Sequence, residues 1–270
     1  MKLKMIMNSL RLLCLPLLVT SCSSVDTQHY QTVMDAKTES KVKHIIITKV
    51  LPNSGKQHGK LVSDVSAEFL NTPYQGGTLI GSPETPESLV ANFNGVDCFT
   101  LIDYVEALTR SRDKNSFLSN LARTRYVNGK VSYLSRRHFF SDWFATKPYN
   151  ARDVTSSISP HYLTEEKKLN RKPDGGEYVQ GLGVIPRKIN YVPGNAINQD
   201  VLRQLKNGDY VGVYSPLKGL DVSHTGIVIK EGGQVWFRNA SSLSSNRKVV
   251  DSPFKEYMSK KPGFIVLRAK

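Results

Sequence analysis

The tightest constraint on this chain is a pair of glycines. Gly232 and Gly233 stand between "SHTGIVIK" and "QVWFRNAS", two runs rich in β-branched and aromatic residues. Paired glycines accept the positive φ values that a two-residue hairpin loop demands, so the two runs are predicted to be antiparallel neighbours in a single register. With Glu231 facing Gln234, His224 falls opposite Ser241 and Gly226 opposite Asn239. Strand side chains alternate faces, which puts these four on one side of the sheet. His224 and Asn239 become diagonal neighbours with Cβ atoms about 7 Å apart or less, within reach of an imidazole–carboxamide hydrogen bond, and Gly226 leaves room between them. A slip of one residue would send Asn239 to the other face.

Further strands are predicted at "DYVGVYS" and at the closing "GFIVLRA". Helical spacing dominates earlier in the chain. "KLVSDVSAEFLNTPY" sets Leu61, Val62, Val65 and Phe69 on one face before Pro73 stops it. "DCFTLIDYVEAL" offers Asp97 as an N-cap and an inward stripe of Leu101, Ile102, Val105 and Leu108. "HIIITKVL" (44–51) is apolar without choosing between strand and helix, and 111–200 holds no sustained period. Helices first and a mostly antiparallel sheet afterwards predict an α+β fold, without internal repeats or a second module.

The N-terminus lies outside that fold. Lys2, Lys4 and Arg11 precede a short apolar run from Leu12 to Val19 that ends in small residues, as a secretory signal does. Val19-Thr20-Ser21-Cys22 resembles a bacterial lipobox, whose cysteine becomes the lipidated first residue. The predicted organisation is a signal peptide at 1–21, a lipidated tether at 22–43 and a folded domain at 44–270. A lipid on Cys22 would hold the chain on the periplasmic side of the cell envelope, and Ser23, by resemblance to Gram-negative lipoproteins, favours the outer membrane.

This organisation sharpens the meaning of the cysteines. Of three, Cys14 leaves with the signal and Cys22 carries lipid, so Cys98 has no intrachain partner. An unpaired thiol in an oxidising compartment is either buried or at work. Cys98 would occupy the first turn of its helix, where free backbone N–H groups and the helix dipole favour a thiolate. The histidine with a built partner is His224. The net charge of +14 suits anionic cell-wall fragments better than nucleic acid in an exported lipoprotein. No cofactor is implied. No metal is either, since one mature thiol and scattered histidines give no ligand spacing.

A Tyr in "TPY", "DC" opening a helix, "SHTGIVI" and a polar residue in the next strand resemble the NlpC-type cell-wall cysteine peptidase superfamily. The ordered set "FLNTPYQGGTL", "ESLVANFNGVDCFTLIDYVEAL", "YLSRRHFFSDW", "NYVPGN", "NASS" and "SPFKEYMSKKPGFIVLR" is similar to its N-acetylmuramoyl-L-alanine amidase-like branch. The resemblance implies a papain-like core, with the nucleophile helix packed on the sheet. It assigns Cys98 as nucleophile, His224 as general base and acid, and Asn239 as the residue that orients the imidazole. Tyr74 becomes a second oxyanion donor or substrate contact, with a core role equally open. Arg136, His138, Asp142 and Trp143 become sugar contacts, or else a packing and ion-pair network. The implied reaction splits the amide between muramic acid and L-alanine in peptidoglycan fragments, anhydro-muropeptides above all. A γ-D-glutamyl–diaminopimelate endopeptidase is opposed by "DCFT" where such enzymes often read "DCSG". A catalytically silent muropeptide-binding lipoprotein is opposed by the intact Cys98 and His224.

Overall fold

The computed structural model describes residues 30–269. The expected signal peptide, Cys22 and the first part of the tether lie outside the described residues. The chain runs through β1 (Gln31–Met34), α1 (Ala36–Ile45), α2 (His58–Ala67), β2 (Ser88–Ala91), α3 (Cys98–Thr109) and α4 (Lys114–Arg125). It continues with α5 (Asp142–Ala145), β3 (Ala151–Asp153), α6 (Thr155–Ile158), β4 (Leu163–Leu169), β5 (Ile185–Pro193) and α7 (Gln199–Gln204). The last third holds β6 (Tyr210–Tyr214), β7 (Val222–Glu231), β8 (Gln234–Ala240), β9 (Val249–Pro253), α8 (Phe254–Met258) and β10 (Gly263–Ala269).

The large sheet has the order β4-β5-β10-β6-β7-β8-β9, with β3 attached to β10. Its strand pairs are antiparallel. With helices gathered ahead of it in the chain, the architecture is mixed α+β. The glycine turn sets the predicted register: Glu231 pairs with Gln234 and Ile227 with Arg238.

The stretch expected as a tether is folded from residue 30 onward. β1 pairs in parallel with β2, and Asp35 caps α1 by accepting the Thr38 N–H at 2.6 Å. Val42, Ile45 and Ile46 are buried in the main core, and the 44–51 stretch is helical. The physical reason is tertiary: Thr38 Oγ1 accepts the Phe93 N–H at 3.0 Å, so α1 repairs a backbone donor that the 88–93 segment otherwise leaves open. The domain therefore begins ahead of residue 44.

Leu61, Val62, Val65 and Phe69 are all buried, as their helical spacing predicts. α3 is buried on every side rather than along one stripe, including Asp103, Tyr104 and Glu106. Its two acids are tolerated because each is matched. Arg125 Nε donates to Asp103 at 2.8 Å, while Glu106 accepts from Tyr210 at 2.8 Å and Arg110 at 2.7 Å, with His58 at 3.1 Å. This helix forms the axis on which the candidate site is built.

Candidate active site

Asp97 fixes where α3 begins. Its carboxylate accepts the N–H groups of Phe99 at 3.0 Å and Thr100 at 2.7 Å, and Thr100 Oγ1 accepts the Asp97 N–H at 2.9 Å. This reciprocal capping box makes Cys98 the first helical residue, whose N–H has no intrahelical acceptor. The start of α3 is clamped to β7 by Thr225, which donates its hydroxyl to the Cys98 carbonyl at 2.7 Å. Thr225 follows His224 directly, so that bond brings the thiol-bearing turn and the imidazole-bearing strand together.

His224 and Asn239 meet as the hairpin predicts, with Nε2 and Oδ1 3.0 Å apart. The amide orientation follows from its other end, because Nδ2 donates to the Phe237 carbonyl at 3.1 Å and reaches Ser252 Oγ at 3.4 Å. Oδ1 is left to accept from the imidazole, so Nε2 carries the proton and Nδ1 is the free lone pair. Gly226 has a specific task in this face. A Cβ there would lie 2.4 Å from the Arg238 carbonyl and 2.5 Å from the Phe237 ring. Its absence admits Phe237, whose ring meets the His224 ring edge-on with centroids 6.0 Å apart.

Burial pushes the Cys98 thiol up from its ordinary value, and the Asp97 charge adds to the effect; the Thr225 bonds and the helix-terminal N–H offset it in part. The helix start therefore does not by itself produce a thiolate. Burial also pulls the His224 imidazole down, against the Asn239 bond and with the help of Lys261. Both shifts favour a neutral thiol and a neutral imidazole at rest.

Tyr74 is half-buried beside this pair. It bridges to Val96, and burial together with the Cys98 and Asp97 charges raises its phenol. The hydroxyl therefore keeps its proton and remains a donor.

For the Arg136–Trp143 cluster, where a sugar site and a packing and ion-pair network were both open, the contacts observed are of the second kind. Trp143 is wholly buried and meets Tyr210 edge-on at 4.9 Å, so it offers no face to a sugar. Asp142 is buried, accepting the Phe139 N–H at 3.0 Å and Arg187 at 3.0 Å. Arg136 grips Glu87 with two 2.7 Å bonds, and His138 Nε2 lies 2.7 Å from the Tyr133 carbonyl. The neighbouring Arg137 is buried because it serves three carbonyls, those of Asp142, Thr146 and Pro148. These groups fasten a loop region to the body. Among the described residues, no group of three or more His, Cys, Asp or Glu is disposed to hold a metal ion.

Four residues around the site carried no signal of their own in the sequence. Thr225 lies inside the "SHTGIVI" motif and was within reach of that reading. Phe237, Tyr257 and Lys261 join the site only through tertiary packing.

The α+β fold thus clamps a thiol at a capped helix start to a strand whose histidine is held by a carboxamide. Residues 64–264 match the AmiA-like family, described as N-acetylmuramoyl-L-alanine amidase-like, and the chain belongs to it. A crystal structure of an N-acetylmuramoyl-L-alanine amidase from Bacteroides uniformis ATCC 8492 is similar at 30% identity and a TM-score of 0.66, covering 79% of this chain and 99% of that one. A Legionella pneumophila protein shares the fold with a TM-score of 0.72 at 24% identity, covering 86% of this chain and 94% of that one. Among curated proteins none matches the chain.

Proposed function

We propose that this chain hydrolyses the amide between N-acetylmuramic acid and L-alanine in peptidoglycan fragments, with Cys98 as nucleophile. The observation that carries the reading is the His224–Asn239 bond at 3.0 Å on the strand that Thr225 ties to the Cys98 carbonyl at 2.7 Å. Membership of an amidase-like family supports the bond class.

In this reading His224 Nδ1 takes the thiol proton as the sulfur attacks the lactyl carbonyl. The oxyanion is met by the Cys98 N–H at the helix start and by the Tyr74 hydroxyl. The C–N bond breaks as His224 returns the proton to the leaving L-alanine amine. Water, deprotonated by His224, then hydrolyses the thioester and frees the sugar acid. Asn239 holds Nε2–H throughout, which fixes the tautomer that leaves Nδ1 basic. In the same reading the chain is a member of the papain-like NlpC superfamily. Cys22 is proposed as the lipid anchor on the periplasmic side of the envelope, and anhydro-muropeptides released in wall turnover as the substrates.

The test is to incubate the purified protein and its Cys98→Ala variant with disaccharide-peptides, with and without a 1,6-anhydro sugar, and to weigh the products by mass spectrometry. Free disaccharide plus a peptide beginning at L-alanine, absent with the variant, is the expected result. A cut after D-glutamate would replace the reading with an endopeptidase, and intact substrate with a binding protein.

A further inference from the structure

Two aromatic rings lie within reach of the Cys98 charge, and each carries a cation. Tyr74 leads from the segment that pairs with Val96, and its N–H donates to the Arg247 carbonyl at 2.8 Å. The Arg247 guanidinium lies over the Tyr74 ring, 5.0 Å from its centroid. Tyr257, on α8, packs on Phe237 with centroids 5.1 Å apart, and Phe237 is the ring that edges His224. The Lys261 ammonium lies over the Tyr257 ring at 4.8 Å. The electrostatics agree with this packing: the Cys98 charge acts on both phenols, and the Lys261 charge acts on His224. The turn carrying Lys261 has a fitted seat. A Cβ on Gly194 would lie 2.2 Å from the Lys261 carbonyl and 2.5 Å from that of Met258, so only glycine lets "YVPGN" lie flush against this turn.

Five other arginines that fasten the body hold carboxylates: Arg125 with Asp103, Arg136 with Glu87, Arg187 with Asp142, Arg238 with Asp251 and Arg268 with Asp209. Arg247 and Lys261 form no ion pair among the described residues and rest on π faces instead. A cation over a ring is held in place while its outward N–H groups stay available. Two such cations, on rings that the Cys98 charge reaches, suit a ligand with carboxylates near the cleaved bond. The stem peptide of the proposed substrate has that chemistry, because a γ-linked glutamate keeps its α-carboxylate free.

We propose that Arg247 and Lys261 are specificity-determining residues that bind free carboxylates of the peptide on the leaving side of the amide, so that the site selects anionic stem peptides. This rests on the amidase reading above.

The experiment uses two disaccharide-peptides that differ only in a free or an amidated glutamate α-carboxylate. They are given to the full chain and to Arg247→Met, Lys261→Met and the charge-keeping Lys261→Arg. The wild type should favour the free acid by about tenfold or more in kcat/KM, the scale of one charge-assisted hydrogen bond. The Met variants should lose that preference through KM with kcat retained, and Lys261→Arg should keep most of it. Equal cleavage of both peptides by the wild type, or equal losses on both in the variants, would overturn the proposal. Binding of the same two peptides to the Cys98→Ala protein reads the preference without turnover. A protein that cuts a different bond, or none, thus still tests the two cations, and its failure as an amidase is scored separately.

Discussion

At Arg136–Trp143 the charged groups are turned against the chain itself: arginine on glutamate, arginine on carbonyls, aspartate on a backbone N–H and a second arginine. At Cys98–His224–Asn239 the bonds run in one direction and stop short. Phe237 and Ser252 fix Asn239, Asn239 fixes His224, and the second imidazole nitrogen has no bond among the described residues. Both regions offer arginine, histidine, aspartate or cysteine in short motifs. The difference lies in whether any valence is left for a substrate once the fold has taken its share, which the residue types alone do not reveal.

The largest effect that tests this contrast belongs to His224. His224→Ala should lower kcat by about 10²–10⁴ and leave the melting temperature close to that of the parent, measured by product mass spectrometry and a thermal melt. A drop in activity accompanied by unfolding would make His224 scaffold, and the contrast would break. Trp143→Ala is the converse. It should cost about 3–5 kcal/mol of stability in a denaturant titration, with kcat/KM per folded molecule unchanged. Trp143→Phe should cost much less, since the indole N–H is buried without an acceptor. Loss of turnover in a fully folded Trp143 variant would return a substrate role to the cluster.

Asn239 sharpens the same line, as a positioning residue rather than a reacting one. Asn239→Ala should slow turnover by about tenfold or more, whereas Asn239→Asp keeps the acceptor and should shift the acid limb of the pH profile upward by stabilising the imidazolium. The parent profile is the gentlest test. His224 is held below the ordinary 6.5, so kcat/KM should fall through an acid limb with its midpoint below 6.5. The unfolded chain binds more protons in that window, so stability should also decline as pH falls through it. A midpoint above 6.5 would mean that an anion, not burial, governs the base.

The sequence exposed those parts of the fold that local rules decide. The Gly232-Gly233 turn set a register, and the register delivered the His224–Asn239 pair; Asp97 marked the start of α3 in the same local way. Long-range matching stayed hidden. The partners of Asp103 and Glu106 could not be read locally, because Arg125, His58 and Tyr210 come from elsewhere in the chain. For Trp143 a sugar contact and a packing role both stayed open for want of Tyr210. β4 escaped notice because "LTEEKKL" is polar along most of an arm that turns only Lys167 and Leu169 fully inward. Tyr257 and Lys261 stand inside the family-like stretch "SPFKEYMSKKPGFIVLR", but their place beside the site follows only from the packing of Tyr257 on Phe237.

For a chain anchored by the lipid proposed on Cys22, the pairing of β1 with β2 would also set a leash length. With residues 22–43 extended, a lipid on Cys22 would let the body range roughly 70 Å from the bilayer. Because the fold is in place from Tyr30, eight peptide steps separate it from Cys22, and the reach shrinks to about 28 Å. An enzyme held that close would meet small fragments passing along the membrane far more readily than the polymer from which they were cut.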